Sequence, residues 1–352
     1  MYELLAAKQG IELGLFFCSD RESDREWDLN RLDVPHVFLR SRVIHWRHRF
    51  IHANLDVRLA LDDFRPDVVV TTGFNPTHLL AFWFASVRGL RHVAMTDGTA
   101  ASEASLTFLH RWARRFVYRR TQAFVGASNG SFELYRQYGL APSMMFKSHL
   151  CANNAAFAET CVGGRKFDFI FCGRFVEGKL PLFAIEVAAK TSRRLGRRVR
   201  MLLVGSGPLE AQMRQAADLN VEHVEAHFTG FALQAELPGH YARAKLLLFP
   251  TVSDTWGVVA NEACAAGVPV LVSQRAGVAG DLVRDGENGR VLPLDSTVWS
   301  EAAATLLTHQ TQWERMSACA RSAVESYTFA QAAEGLALAI ALAAKSGANQ
   351  HG

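Results

Sequence analysis

The sequence predicts an α/β protein built from two doubly wound parallel-sheet domains. Three observations carry that expectation. Apolar runs of strand length alternate with helical patterns along the whole chain, the arrangement of a parallel sheet covered on both faces. Several of those runs are apolar throughout, as in Met201–Val204 and Leu246–Phe249, which suits strands buried on both sides. A chain of 352 residues is also too long for one core, and with 49% hydrophobic residues each half can bury its own.

In order along the chain, MYELLAAKQG reads as a helix, and strands are expected at Ile11–Cys18, Val34–Leu39, Asp67–Thr72, His92–Met95 and Ala123–Ala127. Periodicity fades between His149 and Lys166, where Gly163 and Gly164 mark a connection. The expected domains are therefore 1–155 and 165–328. A second set of strands starts near Phe167, Met201, His227, Leu246, Pro269 and Arg290, and a last helix runs over about 329–346. No internal repeat or low-complexity segment interrupts the pattern.

The formal charge of +4 is mild and argues against a nucleic-acid partner. The six cysteines (Cys18, Cys151, Cys161, Cys172, Cys264, Cys319) form no C-x-x-C pair and no zinc-like spacing, so no metal is expected and a reducing compartment fits. The longest apolar stretch, Gly335–Ala344, falls short of the roughly 18 residues a membrane span needs. With no secretory signal visible ahead of the first domain, the expected location is cytoplasmic.

The most informative segment is Phe249–Val272, FPTVSDTWGVVANEACAAGVPVLV. A strand ends at Pro250, Ser253 or Asp254 is placed to cap the following helix, and Gly267 with Pro269 stops it. Asp254 would then stand at the helix mouth, with Glu262 eight residues on and about two turns inside. Backbone N–H groups around Trp256, Gly257 and Val258 would point outward with the positive end of the helix dipole, a setting for a phosphate. The spacing alone fits equally a bare cap at Asp254 and a solvated Glu262.

This segment resembles the acidic-x7-acidic signature of the retaining nucleotide-sugar glycosyltransferases of family 4, the group 1 glycosyl transferases, whose fold is GT-B: two Rossmann-like domains facing a central cleft. The run Asn261–Val270 and the turn Asp285–Gly289 are similar to that family as well. The resemblance covers Phe167–Tyr327 strongly and the first half loosely. It implies that the first acid contacts the transferred sugar and the second holds the nucleotide ribose. Asp254 stands where the family usually has Glu, and Glu262 matches.

Upstream, Phe167–Phe175 (FDFIFCGRF) leads through Gly173 and Arg174 to Lys179. By resemblance both cations lie on the donor diphosphate, and two cations beside a helix start would offset charge building on a leaving diphosphate. Met201–Gly207 (MLLVGSG) adds Gly205 and Gly207 ahead of Pro208, a turn that in isolation marks only a tight strand-to-helix corner. The implied catalytic set is Arg174, Lys179 and Asp254. The implied donor-binding set is Gly173, Gly205, Gly207, Thr255, Trp256, Gly257, Val258 and Glu262.

The implied activity is transfer from a UDP- or GDP-sugar to a hydroxyl of a glycan or lipid-linked acceptor, in cell-surface polysaccharide synthesis, with the nucleotide-sugar as co-substrate and no metal. Relatives open with a strand and a glycine loop ahead of the first helix, so the first domain is expected to lack its first strand. Acceptor candidates are Thr96, Asp97 and Gly98 after one strand and Gly73–His78 after another, at carboxyl ends where open parallel sheets bind ligands. The basic, aromatic stretches 40–49 and 111–120 offer peripheral contact with the inner membrane face, or are solvated helix faces. Other classes remain: a nucleotide-sugar binding protein without catalysis and with a truncated acceptor domain, or a dinucleotide oxidoreductase, disfavoured because no G-x-G-x-x-G joins a strand to a helix.

Overall fold

One small parallel pair, one antiparallel hairpin and one larger parallel sheet organise the first part of the chain. The computed structural model describes residues 1–19, 33–40, 43–46, 49–104, 106–158 and 164–348. It divides into two compact units, Met1–His149 with the residues from Phe329 onward, and Leu150–Thr328.

In the first unit, β1 (Leu15–Phe17) pairs in parallel with β2 (His36–Phe38) as a sheet of two. An antiparallel hairpin follows, β3 (Val43–Trp46) with β4 (Arg49–His52). The basic stretch 40–49 is thus strand rather than amphipathic helix, with residues 41, 42, 47 and 48 outside the described set. A separate parallel sheet holds β5 (Val68–Thr71), β6 (Arg91–Thr96), β7 (Ala123–Gly126) and β8 (Met145–Lys147) in that order.

Alternation along these strands sorts the side chains onto two faces. Val93 and Val125 meet Leu5 and the C-terminal helix Phe329–Ala348 through Ala333, Leu336, Ala339 and Ala343. Ala94 and Phe124 point the other way, to Phe82, Val117, Tyr118 and Tyr135. The stretch 310–346 is long and apolar enough by length and composition to cross a membrane. It is divided here into two helices, Gln310–Val324 and Phe329–Ala348, and the alanines of the second are spent on the sheet.

The second unit carries one six-stranded parallel sheet: β9 (Phe167–Cys172), β10 (Val199–Val204), β11 (Val224–Gly230), β12 (Ala244–Phe249), β13 (Val270–Ser273) and β14 (Gly289–Leu292). The spatial order is β11-β10-β9-β12-β13-β14, which is the 3-2-1-4-5-6 order of a doubly wound nucleotide-binding sheet. Ile170, Leu202, Leu247 and Val272 fill one core and Phe169, Met201, Leu246 and Leu271 the other, so the continuous apolar runs are explained by burial on both faces. The order reverses between β9 and β12. Ligands of open α/β sheets bind outside the strand ends at such a switch point, which directs attention to the loops after Cys172 and Phe249.

Candidate functional site

The loop after β9 is held by main-chain bonds that prolong the sheet. The Gly173 amide donates to Val204 O at 3.0 Å, Phe175 N to Ser206 O at 2.8 Å, and Gly205 N to Gly230 O at 2.8 Å. The loops after β9 and β10 therefore run in contact. Gly205 has φ +135°, and a Cβ there would stand 2.0 Å from Gly173 O. This glycine is required by the neighbouring backbone before any ligand is considered.

A 3₁₀ turn, Glu177–Lys179, then presents Lys179. Its position is fixed from the β12 side, because Gly178 O accepts from Thr251 Oγ1 at 2.9 Å and from Val252 N at 3.1 Å. The loop after β12 is strapped in turn to 275–278: Asp254 N donates to Arg275 O at 3.3 Å and Gly277 N to Asp254 O at 2.9 Å. These ties bring Lys179 and Asp254 together across the switch point, where Lys179 Nζ donates to Asp254 Oδ2. The lysine side chain is 30% exposed and the aspartate 16%, so the pair is reachable from solvent. Lys179 Nζ also lies 5.9 Å from the Phe249 ring centre.

The expected cap at Asp254 is corrected. The helix is Val258–Ala265 with Gly257 at its N-cap position and no side-chain cap. Asp254 instead closes a short turn, its Oδ1 accepting from Trp256 N at 3.2 Å. The Trp256 amide is therefore engaged rather than open to an anion. Its indole is fully buried and donates to Asn261 Oδ1 at 2.8 Å, so the Trp256 side chain is core. The Gly257 and Val258 amides have no partner among the described residues, as expected for a helix start. Gly257 has φ +106°, and a Cβ would meet the Phe249 ring at 2.3 Å.

Glu262 lies one turn into this helix, not two, and faces the interior at 7% exposure. The Tyr241 hydroxyl donates to its Oε2 at 2.8 Å, so it is not a solvated helix residue. Burial raises its pKa to about 7 against the partial offset of that hydrogen bond. Cys172, at the end of β9, is pushed up to about 12 by burial, with the Glu262 charge adding to it. Glu262 and Tyr241 form a buried pair under the switch point, with half-buried Cys172 beside them. Tyr241 was invisible to spacing because its helix, Leu237–Ala242, carries no motif.

Arg174 lies exposed on the loop after β9, and Thr255 is half-buried beside the 275–278 strap. Gly207 lies where a Cβ would meet Phe175 O at 2.6 Å. The turn Asp285–Gly289 is structural: Asp285 Oδ1 accepts from Val291 N at 2.9 Å, and Asn288 bonds Arg284 N and Leu282 O. Among the described residues no group of three or more His, Cys, Asp or Glu is placed to hold a metal.

In the first unit, Gly98 N donates to Thr96 Oγ1 at 3.0 Å and Asp97 is exposed beyond β6. Asn75 caps the helix Pro76–Val87 by accepting from His78 N at 3.0 Å. Burial lowers the His78 pKa to about 4, and its Nε2 lies 4.0 Å from Cys18 Sγ.

Known protein families match both halves of the chain. Residues 166–309 match the family model described as "Glycosyl transferases group 1", and residues 2–145 match that of the "Glycosyl transferase 4-like domain". The chain is 33% identical over 175 residues to D-inositol 3-phosphate glycosyltransferase of Nocardia farcinica, a match covering 47% of this chain and 38% of that protein. It is 41% identical over 101 residues to GDP-mannose-dependent α-(1-6)-phosphatidylinositol monomannoside mannosyltransferase of Mycolicibacterium smegmatis, covering 26% of each. The matched segments thus span well under two thirds of these relatives. Among solved structures, Anabaena HepE in complex with UDP superimposes with a TM-score of 0.69 at 14% identity, covering 88% of this chain and 86% of that one. Two matching family models, the 3-2-1-4-5-6 sheet and the GT-B likeness together make this chain a member of the family 4, group 1 glycosyl transferases.

Proposed function

We propose that the chain is a retaining glycosyltransferase that moves a sugar from a UDP- or GDP-sugar to a hydroxyl of a glycan or lipid-linked acceptor, in the synthesis of a cell-surface polysaccharide. The observation that carries this reading is the Lys179–Asp254 ion pair across the β9/β12 switch point, beside the Gly257 and Val258 amides, which have no partner among the described residues. The GDP-mannose-dependent relative and HepE, whose structure holds UDP, support a nucleotide-linked donor. In the reading, an arriving diphosphate takes Lys179 over from Asp254, and the freed carboxylate accepts from a hydroxyl of the sugar. Arg174 and the helix-start amides add to the positive field.

The bond from the anomeric carbon to the diphosphate breaks with its electron pair left on phosphate oxygen. The acceptor oxygen bonds the same carbon on the same face through an oxocarbenium-like transition state, and its proton goes to that phosphate oxygen. Lys179, Arg174 and the amides favour this step because the charge they face grows as the bond breaks. Glu262 binds the ribose, exchanging the Tyr241 hydroxyl for ribose hydroxyls. No metal or other cofactor enters the step. The phosphatidylinositol-linked relative supports a lipid-linked acceptor.

A peripheral site on the inner, cytoplasmic membrane face fits the helix Phe108–Tyr118. Phe108, Leu109 and Trp112 are 78%, 73% and 58% exposed there, with Arg111 and Arg115 exposed on the same helix. Phe108→Ser with Trp112→Ser is expected to abolish flotation with phosphatidylglycerol vesicles. Unchanged flotation refutes the contact.

Titration calorimetry with UDP and GDP, on the wild type and Glu262→Ala, tests the donor site. One nucleotide is expected to bind, with affinity lost in the variant and with protons released near pH 7, because ribose donors favour the ionised carboxylate. Binding of neither refutes the donor reading. Binding without donor hydrolysis or transfer to any acceptor favours the non-catalytic alternative.

A further inference from the structure

Three polar side chains meet under the β9/β12 switch point, and counting their protons fixes how they are joined. Tyr241 is fully buried and Glu262 nearly so, while Cys172 ends β9 packed against the core cluster that holds Tyr241. The Tyr241 ring is fixed in place. It stands edge-on to buried Phe157 with ring centres 5.7 Å apart, and its carbonyl accepts from Arg165 at 3.4 Å.

The Tyr241 hydroxyl donates to Glu262 Oε2 at 2.8 Å and shares a second hydrogen bond with the Cys172 thiol. A phenol has one proton to give, and its oxygen can also accept one. With the phenol proton on Glu262, the bond to Cys172 carries the thiol proton. The order in the free protein is therefore Cys172 S–H to Tyr241 O–H to Glu262. Burial pushes the thiol pKa up to about 12, so the proton is there to give. Ribose hydroxyls arriving at Glu262 take the place of the Tyr241 proton on that carboxylate. The phenol then becomes a buried donor, and leaving such a donor without an acceptor is costly. On a fully buried ring it has no solvent to turn to. Its second partner is the Cys172 sulfur, and rotation of the O–H about the bond from ring to oxygen reaches it with no heavy atom displaced.

We propose that Cys172 is a positioning residue of the donor site: its sulfur receives the Tyr241 hydroxyl when ribose takes Glu262, so the hydrogen-bond chain reverses direction instead of breaking. The inference rests on the ribose reading of Glu262. Cys172 has no part in the bond-breaking step and acts only on how tightly the nucleotide is held. Alanine or valine would pack as well at the end of a buried strand, but neither can accept that proton.

The test is titration calorimetry of the full chain with UDP and GDP, on the wild type, Cys172→Ala, Cys172→Ser, Tyr241→Phe and the double variant Tyr241→Phe/Cys172→Ala. Cys172→Ala is expected to weaken binding of the nucleotide that the wild type takes by about tenfold, because a buried hydroxyl is stranded in the complex alone. Cys172→Ser, whose hydroxyl also accepts, should hold affinity within about threefold of the wild type. In the Tyr241→Phe background the change to alanine should cost less than about twofold, since no hydroxyl remains to be stranded. A packing defect would instead act equally in both backgrounds. The infrared S–H stretch, isolated by subtracting the Cys172→Ala spectrum, gives a second readout. It is expected at a lowered, hydrogen-bonded frequency in the free protein and should rise when nucleotide binds, as the thiol loses its acceptor. Tyr241→Phe should show the raised frequency without nucleotide. Unchanged affinity in Cys172→Ala, an equal loss in both backgrounds, serine no better than alanine, or an S–H band that ignores nucleotide overturns the inference and leaves the ribose reading standing. Binding of neither nucleotide by the wild type overturns both.

Discussion

Lys179 and Asp254 are each other's partners in the structure, yet neither is deeply buried, so the pair serves stability little. Lys179→Ala is expected to lower turnover by about 100-fold, the scale of losing one donor to a developing anion, while the melting temperature stays nearly unchanged. Assays of kcat beside thermal scans check this, and unaltered kcat removes the lysine from the site. Glu262 makes the opposite bargain. Burial favours its neutral form, so the stability it contributes is complete below its ordinary value of 4.5 and is lost as pH rises through about 7. Glu262→Gln cannot ionise. Its stability relative to wild type is expected to grow between pH 5 and pH 8, by at most about 3 kcal/mol, at about 1.36 kcal/mol per unit. A difference in melting temperature that stays flat with pH rules this out.

At the scale of elements, the loops after β9 and β10 act as one piece. Gly205→Ala sets a Cβ 2.0 Å from Gly173 O at a φ that L side chains rarely adopt, and only backbone movement relieves it. It should destabilise by roughly 1–3 kcal/mol and loosen the loop that carries Arg174 and Lys179. Denaturant midpoints measure the first effect and nucleotide affinity the second. A fully stable variant would mean that the two loops are not in the contact described. The helix Val258–Ala265 shows a related economy. With Asp254 withdrawn to close its own turn, the first amides are left without a side-chain cap, and Gly257 supplies the tight approach to Phe249.

For the whole molecule, the second unit has two cores drawn from its own residues on both faces of its sheet. The fragment 150–328 is expected to melt cooperatively and to bind the donor nucleotide within about tenfold of the full chain, as a domain with its own core does. Circular dichroism and calorimetry on the fragment decide it, and a fragment without a cooperative transition refutes it. The inner strands of this unit, β9, β10, β12 and β13, were legible because they are mostly buried on both faces and read as largely apolar runs. The hairpin β3/β4 and the short β8 were not legible. The first breaks its short apolar stretches with His45, Arg49 and His52, without strand-like alternation, and the second is three residues beside a 3₁₀ turn.

What the sequence determined by itself was the alternation of elements, the family, and the residues Lys179, Asp254 and Glu262 as those to examine. These follow from local chemistry: apolar periodicity, glycine and proline punctuation, and spacing along one segment. Tertiary structure alone decided what those residues do to one another. It paired Lys179 with Asp254 across 75 positions of chain and gave Glu262 to Tyr241. Such contacts arise from strand order, and strand order is set by how the faces of many elements are buried together rather than by any one stretch of residues.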